Sequence, residues 1–237
     1  MNKRIIVTRS SKDNKEFISL VPNRFNIESV PCISFKSYLS QNIKNIEGIK
    51  NIVFTSTNAL IFLTKNYKIK EDFFDNKNIY SVGRKVIGYI KNNFTIKNTN
   101  FEHFKDSLEL IKEINRLKNP NYLYICVKDT LGVIEQNINQ SIKLQKLITY
   151  ETILNNISES IKKNINLKQD TFIFIVFSIS AVKALISNFS LLDLKHQEFI
   201  VIGQTTANFL KDRGFKNIYT AKNHNSNHII EILDKLM

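Results

Sequence analysis

The sequence predicts an α/β protein built as two parallel-sheet lobes. Short β-rich runs alternate with segments of helical period along the whole chain, which is the pattern of strand-helix units feeding a parallel sheet. The strand-to-helix passages also recur in the same order in each half, so one architectural unit is present twice.

Taken in order, strands are predicted near 4–9, 50–55, 78–82, 121–127, 171–177, 198–202 and 217–220. Each is a short run of Ile, Val, Phe or Tyr closed by Ser, Thr, Gly or Asn. Helices are predicted at 12–21, 57–66, 84–92, 106–117, 130–139, 179–188, 204–213 and 226–236, where apolar residues fall three and four apart. The segments VPCISFKSY at 30–38 and KLITYETIL at 146–154 read as extended.

The internal repeat organises these elements. IVFTSTNAL at 52–60 resembles IVFSISAVKAL at 175–185, each a strand entering a helix through a Ser-containing turn. IYSVGRKVIGYIKNN at 79–93 then answers FIVIGQTTANFLKDRG at 199–214. Ser56 to Gly83 is 27 positions and Ser178 to Gly203 is 25, so the spacing agrees as well. HFKDSLELIKEI at 103–114 and HNSNHIIEILDKL at 224–236 extend the match.

RIIVTRSSKDNKEFISL at 4–20 resembles YLYICVKDTLGVIEQNI at 122–138, but one opens the chain and the other ends the first repeat. The duplication is therefore circularly offset, and the first strand-helix unit completes the C-terminal lobe. The expected fold is two flavodoxin-like lobes, 1–33 with 151–237 and 34–150. Extended segments near 30–38 and 146–153 are expected to pair as a two-stranded β hinge, with the working site in the cleft between lobes.

Composition narrows the function. At 237 residues and 43% hydrophobic, the chain can bury a large core, and the longest apolar run, Phe172 to Phe177, is far too short to span a membrane. Six Gly and three Pro leave many turns to Asn, which tolerates left-handed backbone. Cys32 and Cys126 lack metal-ligand or CxxC spacing and read as buried, reduced thiols of a cytoplasmic protein.

The net charge of +13 fits an anionic partner, although the charges are scattered singly and also suit an ordinary solvated surface. Walker, dinucleotide and Gly-x-Ser-x-Gly signatures are missing. His224 and His228 stand i,i+4 without a third ligand near in sequence, so no metal site is expected.

Chemistry is expected where strands end and helices begin, because helix N-termini present unpaired N–H groups to anions. Four turns qualify: Thr55-Ser56-Thr57-Asn58, Ser81-Val82-Gly83-Arg84, Ser178-Ile179-Ser180 and Gly203-Gln204-Thr205-Thr206. The same residue types also serve as plain helix caps, and the residues alone leave both readings open.

These motifs resemble the uroporphyrinogen-III synthase family over nearly the whole chain. VIGQTTANFLKDRGFKNIYTAKNHNSNHIIEIL at 201–233 carries the likeness most strongly. IVFTSTNAL, IVFSISAV, the VTR at 7–9 and the ITYET at 148–152 are compatible with it. The chain departs from the family pattern at Thr57, Ile179 and Gln204, where proline is common, and at Val86, where the second motif has Thr.

The resemblance implies a cofactor-free, monomeric lyase of haem biosynthesis. Its substrate would be linear hydroxymethylbilane, which bears eight acetate and propionate carboxylates, and its product uroporphyrinogen III with ring D inverted and water lost. Substrate contacts are then expected at Ser56, Thr57, Asn58, Gly83, Ser178, Ile179, Ser180, Gly203, Thr205 and Thr206. Tyr150 is expected as a proton or hydrogen-bond donor to the departing hydroxyl, and Arg9 as a carboxylate partner.

The main alternative is a non-catalytic hinged binding protein for a small anionic ligand. A nucleic-acid-binding reading finds no basic helix, zinc finger or aromatic-basic motif.

Overall fold

The computed structural model describes residues 3–39, 46, 48–117, 119–221 and 226–237. In chain order these form β1 (Arg4–Val7), α1 (Ser11–Ile18), β2 (Ile27–Ser29), β3 (Ile33–Ser37), β4 (Asn51–Phe54), α2 (Thr57–Asn66) and β5 (Asn78–Val82). There follow α3 (Lys85–Asn93), β6 (Asn100–Phe104), α4 (Ser107–Leu117), β7 (Asn121–Val127), α5 (Val133–Asn137) and β8 (Lys143–Leu154). The remainder is α6 (Glu159–Asn164), β9 (Phe172–Val176), α7 (Ile179–Asn188), α8 (Leu191–Lys195), β10 (Glu198–Val201), α9 (Gln204–Lys211), β11 (Ile218–Thr220) and α10 (Ser226–Leu236).

The chain divides into two compact units, one of Met1–Phe35 with Ile153–Met237 and the other of Lys36–Thr152. The first holds a five-stranded sheet in the order β11-β10-β9-β1-β2, every pair parallel. Numbered along the sheet's own strands this is 2-1-3-4-5, the flavodoxin-like order. The second sheet runs β3-β8-β7-β4-β5-β6, and its β8-to-β6 portion is again parallel throughout.

With β7 in the place of β1 and β4 in the place of β9, the second order reproduces the first. The circular offset in the sequence is therefore an offset of the same winding.

Side chains of β9 show how the first unit is layered. Phe172, Phe174 and Val176 pack with Ala181, Val182 and Leu185 of α7 and with Ala207 and Leu210 of α9. Ile173 and Ile175 alternate to the other side, with Phe17 of α1 and Ile229 and Leu233 of α10. A strand buried on both faces reads as one unbroken apolar run, which is what residues 172–177 show. Each fully buried Phe or Ile contributes about 2 kcal/mol of transfer free energy.

In the second unit, Val53, Tyr80, Tyr122, Tyr124 and Cys126 share a core with Leu110, Ile111 and Ile114 of α4 and Ile134 of α5.

Several elements depart from the sequence expectation. The helix predicted at 130–139 is only Val133–Asn137, entered through Gly132 at φ +73. β8 begins at Lys143, and β2, β6, α6 and α8 were not expected. β6 is a sheet edge whose residues are mostly exposed, so it carries little apolar signal. The two unexpected helices are short segments capped by Ser158 and Ser190.

Among the described residues only one Asn, Asn76 at φ 56, adopts left-handed backbone. Several asparagines act instead through their side-chain amides. Asn100 donates to Asn78, Asn78 to Asn51, and Asn51 to the Asn121 carbonyl, a ladder across four strands. No described helix is long and apolar enough to cross a membrane.

Candidate functional site

In an open parallel sheet the ligand crevice lies beyond the strand carboxyl ends, where neighbouring strands send their helices to opposite faces. In the first unit that point falls between β1 and β9, since α1 and α7 belong to different cores. In the second unit it falls between β7 and β4.

At the first unit's switch point Arg9 follows β1 and Phe177 follows β9. The Arg9 guanidinium lies 4.4 Å from the centroid of the Phe177 ring and 3.6 Å from the Asp13 carboxylate. The turn beneath is held by buried Asn14, whose Oδ1 accepts from the Arg9 N–H at 2.7 Å while its amide donates to Val7 O and Ser29 Oγ. Asn14 lies three residues before Phe17 on the buried stripe of α1. A polar residue on an apolar helical stripe is a sequence signal for such an anchor.

Ser178 caps α7 by accepting from the Ala181 N–H, and Ile179 and Ser180 open that helix half-buried. Gly203 precedes α9 in extended backbone with no side-chain cap. Thr205 is exposed, but Thr206 is buried on α9 along with Ala207 and Leu210.

In the second unit Ser56 caps α2, accepting from the Asn58 N–H at 3.1 Å, with Thr57 and Asn58 half-buried. Gly83 is exposed at φ +76 before α3 and donates its N–H to Phe104 O. Thr57, Ile179 and Gln204 are each the first residue of their helix. A proline there would be pre-organised but without an N–H, so this chain keeps a backbone donor at all three positions.

Tyr150 stands on β8 and donates its phenol to Ser56 Oγ at 3.2 Å. Its ring stacks on Phe62 of α2, with centroids 5.4 Å apart and planes within 12°. The preceding residue touches α2 too: Thr149 Oγ1 donates to Ala59 O, and the Asn66 amide donates to Thr149 O and Tyr38 O. Successive residues of a regular strand face opposite sides. Here Cys126 pairs with Ile148 and Val127 with Tyr150, so Thr149 is the extra residue of a β-bulge, and it and Tyr150 both face α2.

Burial pushes the Tyr150 phenol up, opposed by its hydrogen bond to Ser56. Burial likewise pushes up Tyr124, whose hydroxyl shares a 3.1 Å hydrogen bond with Thr55. Beside them, Glu135 accepts from Thr130 and Lys146, both at 2.6 Å, at the start of α5. Thr55 belongs to a turn the sequence singles out, but Tyr124, Thr130, Glu135 and Lys146 carry no such local signal, because only strand pairing brings them together.

Cys32 and Cys126 are buried free thiols, pushed up to about 12 by burial. Among the described residues no three His, Cys, Asp or Glu side chains gather as a metal-binding group. His224 lies outside the described residues.

Comparison with known proteins agrees with this architecture. Among solved structures the chain is similar to the uroporphyrinogen-III synthetase of Helicobacter pylori 26695, at 19% identity and TM-score 0.69 over 100% of both chains. It is also similar to a mutant uroporphyrinogen III synthase from the extremely thermophilic bacterium Thermus thermophilus, at 11% identity and TM-score 0.60 over 98% of each. Identities this low speak for the fold alone. No curated protein sequence gives a significant match. The family described as Uroporphyrinogen-III synthase HemD matches residues 23–231, from the loop before β2 into α10. That span takes in the whole second sheet, every strand of the first except β1, and all four helix-opening turns, and the chain belongs to the uroporphyrinogen-III synthase family of haem biosynthesis.

Proposed function

We propose that this chain converts hydroxymethylbilane to uroporphyrinogen III, closing the macrocycle with inversion of ring D and loss of water. The observation that carries the proposal is the family match across residues 23–231. In this reading the chain acts as a cytoplasmic monomer on a small polycarboxylate, without nucleic acid and without metal or organic cofactor. A net charge of +13 favours encounter with such a substrate.

The reaction first breaks the bond between the terminal methylene and its hydroxyl, which departs as water and leaves an azafulvene. The substituted α-carbon of ring D, rather than the free one, then attacks the electrophilic azafulvene methylene, and the new carbon–carbon bond makes ring D the centre of a spiro intermediate. The spiro intermediate fragments and recloses inverted. Because unassisted closure gives the uninverted isomer, the protein's task is to orient ring D as well as to assist departure.

Tyr150 is assigned the proton or hydrogen bond to the departing hydroxyl. Its raised ionisation keeps the phenol protonated at neutral pH. The turns holding Ser56, Thr57, Asn58, Gly83, Ser178, Ile179, Ser180, Gly203, Thr205 and Thr206 are assigned to the carboxylates, through donors other than the Asn58 and Gly83 N–H groups, which Ser56 Oγ and Phe104 O already hold, with Arg9 as a charged partner.

The test is to supply freshly generated hydroxymethylbilane to the purified protein, oxidise the products and separate the porphyrin isomers. A dominant type III isomer is expected. Type I alone, at the rate of the protein-free control and with the protein folded, would leave the anionic-ligand binding reading in its place.

A further inference from the structure

We infer that Ser56 is a positioning residue for Tyr150: the hydroxyl that caps α2 also sets where the phenolic proton of Tyr150 is held. This assignment presupposes the cyclisation proposed above and deepens it by naming what governs its proton donor.

A serine hydroxyl has two acceptor lone pairs and one hydrogen. On Ser56 one lone pair takes the Asn58 N–H at 3.1 Å and the other takes the Tyr150 phenol at 3.2 Å. The first bond belongs to the helix cap and fixes Ser56 Oγ relative to the α2 backbone. The second extends that fixed point to the phenol.

Every other freedom of Tyr150 is already restricted by α2. Its ring lies flat on Phe62, and the neighbouring Thr149 is tied to the helix at Ala59 O and by Asn66. The bulge opposite Cys126 and Val127 sets the direction of the side chain. What remains is rotation about the phenolic C–O bond, and Ser56 holds that rotor. The adjacent hydroxyl cannot easily substitute, because Thr55 is engaged with Tyr124 at 3.1 Å. A proton held this way reaches a departing hydroxyl by one bond rotation, with no movement of the ring.

The experiment is steady-state kinetics on the full chain, with porphyrin isomers resolved, for Ser56→Ala, Ser56→Gly and Ser56→Thr, and for Ser56→Ala in a Tyr150→Phe background. Loss of the hydroxyl is expected to lower kcat about tenfold with KM changed by less than about twofold. Ser56→Gly guards against a folding artefact, since glycine is a tolerated N-cap, and it is expected to show the same loss. Ser56→Thr, which restores a hydroxyl, is expected to recover most of the lost kcat.

Where Tyr150 is already Phe, Ser56→Ala is expected to change kcat by less than about twofold, because the two residues act as one unit. An equal loss in both backgrounds, a loss confined to KM, or undiminished kcat in Ser56→Gly would overturn the assignment. Failure of the wild-type chain to form the type III isomer would overturn the functional reading instead, so the two failures are distinguishable.

Discussion

The phenol of Tyr150 donates to Ser56 Oγ at 3.2 Å across 94 positions of sequence, joining β8 to the residue that caps α2. The contact depends on a single inserted residue in β8. With Thr149 bulged out of register, Tyr150 pairs with Val127 and turns toward α2. In a regular ladder, position 149 would pair there and the tyrosine would face the opposite side of the sheet.

Tyr150→Phe removes the hydroxyl and keeps the ring on Phe62, so the fold is expected to stay intact. The proposed role predicts a fall in kcat of about a hundredfold with little change in KM. Isomer-resolved initial rates across a substrate series measure both, and an unchanged kcat would remove Tyr150 from the chemistry.

Arg9→Met separates charge from chain length. It removes the cation over Phe177 and the ion pair with Asp13. We expect KM to rise about tenfold at low salt while kcat stays near wild type, as for a contact that holds substrate and transition state equally. The gap between variant and wild type should narrow as salt is added.

Asn14→Leu tests the anchor under that arginine. Asn14 is fully buried and bonds the Arg9 N–H, Val7 O and Ser29 Oγ. Leucine supplies none of these bonds, which predicts a loss of about 3 kcal/mol in urea unfolding. A loss under about 1 kcal/mol would show that the turn finds other partners.

Gly83→Ala isolates backbone strain from crowding. A Cβ at Gly83 meets nothing within 4 Å, yet φ is +76. The expected cost is about 1–2 kcal/mol from the left-handed backbone alone, read as a lower urea midpoint. Gly83→Asn should recover part of it, because asparagine tolerates this region.

Stability should fall on the alkaline side. Burial pushes the Cys32 and Cys126 thiols from 9.0 up to about 12, and raises the Tyr80, Tyr122, Tyr124 and Tyr150 phenols above 10.0. The folded chain therefore holds these protons more tightly than the unfolded chain. Their contribution is complete below the unfolded values and is lost as pH rises through the folded ones. Urea midpoints should be level from about pH 7 to 8.5 and decline above about 9. Replacing both cysteines with Ala should delay the decline toward about 10, where the phenols begin to respond.

Local patterning was enough to read much of this protein. The run from Phe172 to Phe177 announced a strand, which the structure buries on both faces, and the Ser56 and Ser178 turns announced the helices that follow them. These are short-range signals of residue type, period and cap chemistry, and the repeat of IVFTSTNAL in IVFSISAVKAL compounds them. The β6 edge and the short α6 and α8 escaped because half-exposed or brief elements have too few buried positions to form a pattern.

By itself, then, the amino-acid order determined the two windings, their circular offset and the candidate turns, since each is written in neighbouring residues. Only the tertiary structure decided that Tyr150 meets Ser56, that Thr206 is buried and that Lys146 reaches Glu135. Those outcomes depend on which strands pair, in what register and where one residue bulges, and pairing energy is set by contacts between segments far apart in the chain.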